Sequence, residues 1–238
     1  MKCAIMQPTF LPWSGYFHLM SEVDIFVYLD DAQFQKSSWH NRNRISLNNA
    51  SHWLTVPVLH QHLEQTLLET RLKNTIPWRE KMTRLLEQTY AKHPFSHELT
   101  DFIELISNAN FTSLAELNIA LIEMMAQKLS INCQTIRSSE LDIPGVRTQR
   151  LVSILHDIKA TEYLSPQGAR EYLTADSFIE KTDITLSFQQ FEPQIYPKIK
   201  AEHFIEKLSM LDVVMNIGWC DSKAYITQIP QVINHETR

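Results

Sequence analysis

An α/β fold with a Rossmann-like, mostly parallel sheet is predicted by three observations. Short apolar runs of strand length open the chain at Lys2–Met6 and Ile25–Leu29. Others return at Asn132–Ile136, Thr161–Ser165 and Ile184–Phe188, and most of these later runs are separated by stretches with helical apolar spacing. Strands that alternate with helices are joined by crossovers, and crossovers make neighbouring strands parallel. The 238 residues suffice for a full core, and no linker, repeat or low-complexity segment divides them. A single α/β domain over residues 1–238 is therefore expected.

Each element follows from local pattern. Lys2–Met6 runs straight into Gln7–Tyr16, a turn punctuated by Pro8, Pro12 and Gly15 that hands over to a helix. Such a turn lies at the carboxyl end of its strand, where the next helix aims free N–H groups at a ligand. Ile25–Leu29 ends in Asp30 and Asp31, so two strand ends carry polar residues early in the chain. Arg44–Leu47 and His52–Val58 read as an antiparallel hairpin turning at Asn48–Ala50, with Pro57 marking the end or edge of its second strand. Over residues 77–130 the spacing becomes helical, through Met82, Leu86 and Tyr90, then Leu99, Phe102 and Ile106, then Leu114, Leu117 and Leu121. Pro94 and the polar stretch 108–113 separate these helices, and Ser113 suits a cap. This helical section reads as a layer over the sheet. A helix over Val146–Lys159 and a turn at Pro166–Gly168 leading into a helix through Tyr172 complete the pattern.

Composition limits the function classes. A net charge of −5, with 44% hydrophobic and 21% charged residues, is ordinary for a soluble globular chain and argues against a general nucleic-acid binder. No apolar run approaches the roughly 18 residues of a membrane span, and no signal-peptide core opens the chain. Cys3, Cys133 and Cys220 have neither disulfide nor zinc spacing, which fits a reducing, cytoplasmic setting. The histidines at His60, His62, His93, His97, His156, His203 and His235 likewise lack metal spacing.

Four constellations carry chemistry. The first is the turn with Gln7, Thr9, Trp13 and Gly15, where polar groups at a strand end are hard to explain by packing alone. The second is Asp30 with Asp31, able to hold Mg2+, accept a ribose hydroxyl or act as a base, or else to serve as a solvated turn. Alternation along the chain lets one of the pair face the site, and Asp30 is the favoured one. The third is Lys36, Trp39, His40, Arg42 and Arg44: guanidinium forks for phosphate or carboxylate beside a stacking face. A solvated basic hairpin is the competing reading. The fourth is Tyr163–Arg170, where a strand, a turn with Gly168 and a helix start form an anion-binding arrangement or an ordinary connection.

The segments Gln7-Pro-x-Phe-Leu-Pro-Trp-x-Gly-Tyr-Phe17, Asp24-x-Phe-Val27, Asp30-Asp-x-Gln-Phe34, Asn41-Arg-Asn-Arg44, Trp53-Leu-Thr-Val-Pro-Val58, Tyr163-Leu-Ser165 and Tyr172-Leu173 together resemble the WbqC-like protein family over nearly the whole chain. The resemblance implies a role in bacterial surface-polysaccharide (O-antigen) synthesis, with attachment of an amino acid to an amino sugar. The first turn also resembles, distantly, the nucleotidylyltransferase superfamily and its amide ligase pantothenate synthetase. Gly15 stands where that group keeps a glycine, while its two histidines are replaced, leaving Tyr16 or His18 as catalytic substitutes. The same likeness assigns Ser165 and Arg170 to phosphate.

The combined expectation is a transferase that attaches an acyl or aminoacyl group to an amino-sugar nucleotide, with ATP and Mg2+ activating the carboxylate. Gln7, Thr9, Trp13 and Gly15 would line the nucleotide, with Lys36, Trp39, Arg42, Arg44, Ser165, Gly168 and Arg170 on substrate and phosphates. Asp30, Tyr16 and His18 would be catalytic, and Asp30 and Asp31 would hold metal. The alternatives are a non-catalytic nucleotide-sugar binding or assembly protein, and a glycosyl- or nucleotidyltransferase on the same scaffold. The expected partner is a nucleotide or sugar nucleotide; a homo-oligomer is left open.

Overall fold

A computed structural model of the chain describes residues 1–199 and 204–228. His203 and His235 lie outside the described residues. In chain order the strands are β1 (Lys2–Met6), β2 (Ile25–Tyr28), β3 (Arg42–Leu47), β4 (Ala50–Thr55), β5 (Val58–Leu59), β6 (Arg71–Leu72), β7 (Gln134–Arg137), β8 (Glu162–Ser165) and β9 (Thr185–Phe188). The helices are α1 (Ser14–Ser21), α2 (Trp78–Tyr90), α3 (Leu99–Ser107), α4 (Leu114–Lys128), α5 (Arg147–Asp157), α6 (Arg170–Ala175) and α7 (Met210–Thr227).

Five strands form one sheet in the order β7-β2-β1-β8-β9, and every pair in it is parallel. The predicted Rossmann-like sheet and the antiparallel β3–β4 hairpin are both present. Asn48 and Asn49 turn the hairpin with φ of 51° and 59°, the left-handed pair a tight hairpin needs and asparagine tolerates. Ser113 precedes α4 as expected, its backbone N–H donating to Glu116 in one arm of a capping box. The short β5–β6 pair and α7 are additions to the sequence reading. Gly218 interrupts α7 with φ 72°, and a Cβ there would meet the Phe95 ring at 2.6 Å. The apolar periodicity of that helix therefore changes phase in its middle.

The pleat assigns the strands' side chains to two faces. Ala4, Phe26, Tyr28 and Leu164 face the larger core with α1, α2, α3, α4 and α7. Cys3, Ile5, Ile25, Val27 and Tyr163 face the smaller one with α5 and α6. Full burial of each large apolar side chain contributes about 1.5–3 kcal/mol. Among the described residues no helix is long and apolar enough to cross a membrane.

Topology fixes the place of a site. The chain moves from β1 outward through β2 to β7 on one side, then returns to β8 and β9 on the other. The carboxyl ends of β1 and β8 thus feed connections that leave in opposite directions, and a crevice opens between them. Its wall is the turn after β1, whose carbonyls are held by two buried carboxamides. Asn118 of α4 donates to the carbonyls of Pro8 (3.0 Å) and His40 (2.8 Å). Asn43 of β3 donates to those of Phe10 (3.2 Å) and Leu11 (2.7 Å). Truncating Asn118 to Ala leaves two acceptors without their donor, so urea unfolding is expected to show a loss of about 2–4 kcal/mol. A loss under about 1 kcal/mol would mean the turn does not depend on this carboxamide.

Candidate functional site

At the β1–β8 crevice a cavity of about 580 Å3 opens over the carboxyl edge of the sheet. Six of the predicted residues line it: Gln7, Trp13, Gly15, Tyr16, Trp39 and Gly168. A Cβ on Gly168 would meet nothing within 4 Å, so this glycine borders open space. Gly15 differs. A Cβ there would come within 2.2 Å of the Trp13 indole, which lies against the helix start. The close approach expected of a nucleotide at Gly15 is made by Trp13, whose ring also meets Phe191 edge-on at 5.6 Å.

Gln189, Gln167, Phe191 and Lys207 line the same cavity and are absent from the sequence prediction. The Gln189 amide donates to the carbonyl of Gly15 at 2.6 Å and lies 2.9 Å from Nδ1 of His18. The backbone carbonyl of Gln189 accepts from the Gln167 side-chain amide at 2.6 Å, and the Gln167 Oε1 accepts from Nε of Arg170 at 3.1 Å. The Arg170 guanidinium rests 4.0 Å over the Phe188 ring. One polar chain therefore ties the turns after β8 and β9 to α1, with His18 and Arg170 at its two ends. Gln189 follows a strand end just as Gln7 does, so the same positional rule could have found it.

Several predicted residues occupy structural positions instead. The Tyr16 hydroxyl donates to the Gln7 carbonyl at 3.3 Å, and burial pushes its pKa well above the ordinary phenol value. Burial likewise lowers the pKa of His18, keeping its ring neutral as Gln189's partner. Ser165 is fully buried, with Oγ donating to the Pro166 carbonyl. Thr9 is buried and does not line the cavity, while Lys36 is exposed beyond it.

The acidic pair divides in the opposite sense from the expectation. Asp30 is fully buried, and its two oxygens accept from Ser138 Oγ (3.2 Å), the Ser139 N–H (3.0 Å) and Ser139 Oγ (2.8 Å). It latches the end of β2 to the segment after β7. Asp31 lines a second cavity and pairs with Arg150 while accepting from Ser138 Oγ at 2.6 Å. Burial alone would raise the Asp31 pKa, but the bonds from Arg150 and Ser138 prevail and lower it. Both carboxylates are thus committed to protein donors. Among the described residues no group of three or more His, Cys, Asp or Glu side chains is placed to hold a metal ion.

The hairpin cations do assemble. Arg42 stacks 4.2 Å over Trp53; Arg44 lies 5.5 Å from Trp39 and 5.8 Å from Trp53. The two indoles, 46% and 41% exposed, are 5.3 Å apart. Nε of each arginine is shut away from solvent without a partner, and among the described residues no carboxylate pairs with either. Trp39 belongs both to this shelf and to the cavity wall. The result is a pair of guanidiniums without a carboxylate partner among the described residues, on a shelf that meets the cavity wall at Trp39; Arg44 also donates to the Glu206 carbonyl at 3.3 Å.

The model of the WbqC-like protein family matches residues 7–224. An uncharacterized protein of Mycobacterium tuberculosis is 31% identical over 225 residues, covering 91% of this chain and 94% of its own length. No solved structure matches the chain.

Two outcomes are expected from this geometry. Gly15→Ala should displace the Trp13 indole, altering near-ultraviolet circular dichroism and costing about 1–3 kcal/mol. In a Trp13→Ala background the same change should cost almost nothing; an equal cost in both backgrounds would contradict the contact. His40 tests the hinge of the shelf. Burial lowers its pKa from 6.5 to about 4, and its Nδ1 accepts from the Gln35 N–H at 3.1 Å. The unfolded chain then binds the extra proton first. Stability should fall on the order of 3 kcal/mol as pH drops from 6.5 toward 4, and His40→Gln should flatten that part of the profile. An unchanged profile would contradict the buried neutral ring.

Proposed function

Since the chain belongs to the WbqC-like protein family, we propose that it is a transferase of bacterial surface-polysaccharide synthesis that attaches an acyl or aminoacyl group to an amino-sugar nucleotide. The observation that carries the reading is the cavity at the topological switch point together with the neighbouring shelf of Arg42 and Arg44, which meets the cavity wall through Trp39 and which no acidic side chain among the described residues neutralises. Its volume of about 580 Å3 suits a small-molecule substrate. Trp39 joins cavity and shelf, so a ligand seated in the cavity meets the guanidinium forks with its phosphates. Lys207 on the cavity wall adds a further cation.

The role of this chain's residues is to bind and orient. The nucleophile is the substrate's own amine, and no covalent enzyme intermediate is invoked; burial pushes the Cys3 thiol up to about 12, far from a thiolate. Activation through ATP and Mg2+ has the weaker support, because Asp30 and Asp31 are committed to serines and Arg150. The acyl donor is therefore taken to arrive already activated. A second reading, a sugar-nucleotide binding protein without catalysis, gains from the enclosure of Tyr16 and His18.

Calorimetric titration with ATP–Mg2+ and a panel of sugar nucleotides tests the proposal. Sugar-nucleotide binding is expected, weakened about tenfold or more in Arg44→Ala. Binding of ATP–Mg2+ alone, or a Kd unchanged by the substitution, would contradict it. Product mass after incubation with activated acyl donors separates the transferase from the binding protein.

A further inference from the structure

The second cavity, about 730 Å3, shares Gln7, Leu29, Leu151 and Tyr172 with the first. The two chambers thus meet across the end of β1. We propose that this second chamber is the sugar subsite, so that one sugar nucleotide spans Gln7 with its diphosphate toward the cationic shelf and its sugar ring in the second chamber. The inference rests on the function proposed above and adds where, and by what chemistry, the sugar is held.

Charge distinguishes the two chambers. Around the second, Asp31 is paired with Arg150 and Arg147 lies 3.5 Å from the carboxylate of Asp176, while the exposed Glu64, which also lines it, has no cation partner among the described residues. Paired carboxylates and guanidiniums keep hydrogen-bonding capacity at their outer edges while presenting little net field. A bare anion gains little there. A neutral ring bearing hydroxyls on its rim and C–H groups on its faces gains from both the polar edges and the apolar walls of Leu29 and Leu151. By contrast, the shelf guanidiniums that adjoin the first chamber through Trp39 have no carboxylate partner among the described residues, which suits the diphosphate.

The shared wall supplies the contact between the two halves. Neither the Gln7 carboxamide nor the Tyr172 hydroxyl makes a hydrogen bond to a described residue. Both are polar groups of the fold left for a ligand, and they stand where the linkage between sugar and diphosphate would cross. Tyr172 remains a protonated donor, because burial and the nearby Asp176 raise its pKa. At the mouth, Val146 is 75% exposed, which makes it a place to fill the chamber without disturbing the core.

The test compares binding of UDP, GDP and dTDP with binding of their hexose and N-acetylhexosamine derivatives by calorimetry. In the wild type the sugar is expected to add about tenfold in affinity over the matching diphosphate. Val146→Trp should erase most of that gain and leave diphosphate binding within about twofold. Tyr172→Phe, which keeps the ring, should reduce the gain as well; thermal melts verify that both variants are folded. A gain that survives both substitutions overturns the sugar assignment. Diphosphate binding to which the sugar adds nothing also overturns it, while leaving the proposed anion site standing. Absence of binding by every member of the panel overturns both proposals.

Discussion

The whole cleft hangs from the two buried carboxamides of Asn43 and Asn118. The turn after β1 enters an apolar interior, and its carbonyls cannot reach the sheet's own hydrogen bonds. Left alone, each buried acceptor would cost about 1–3 kcal/mol. Between them the two asparagines satisfy the carbonyls of Pro8, Phe10, Leu11 and His40. The N–H of Phe10 then donates to the Trp39 carbonyl at 3.0 Å, joining the turn to the segment that carries the shelf. Turn, hairpin and α4 therefore form one preorganised support for Gln7, Trp13 and Trp39. A ligand meets a surface already in position, and little of its binding energy goes to ordering the protein.

A second buried centre holds the cationic side. Asp212, fully buried near the start of α7, accepts from the Ser46 N–H (3.0 Å), Tyr90 (3.2 Å) and Tyr196 (2.8 Å) hydroxyls. The ammonium of Lys198 lies 3.0 Å from Oδ2, the oxygen that also accepts from Tyr196, as an ion pair. Ser209 donates its N–H to the Arg44 carbonyl at 2.8 Å. The strand that presents Arg42 and Arg44 is thus fastened to α7 on one edge and to the β1 turn through Asn43. Fixing the backbone this firmly is what lets two like charges stand close together with aromatic faces and, for Arg44, the Glu206 carbonyl at 3.3 Å for company.

Much of this was legible in the sequence, for identifiable reasons. The central strands β1 and β2 announce themselves because a strand buried on both faces reads as a continuous apolar run, whereas the edge strands β7 and β9 are only half-buried and show as short mixed runs. Gln7 stood out as a polar residue at such a strand's end, and alternation in β3 correctly set Arg42 and Arg44 on the face opposite Asn43. The division between Asp30 and Asp31 was not legible, because β2 ends at Tyr28 and pleat parity stops governing side-chain direction beyond it. Gly15 signalled a close approach, expected of a nucleotide, and the visitor is Trp13, two residues away. Gln189 was open to the strand-end rule that found Gln7, whereas Lys207 joins the site through long-range folding. α7 was missed because Gly218 shifts its apolar phase midway.

The central claim is that a sugar nucleotide lies across the end of β1 at the switch point. Its most direct test is a crystal structure of the chain with the tightest-binding sugar nucleotide of the panel. The account predicts ligand density over Gln7, with phosphates toward Arg44 and Lys207 and the sugar toward Tyr172 and Leu151. Density at any other surface, such as the cavity by Cys133 and Met20, would contradict it.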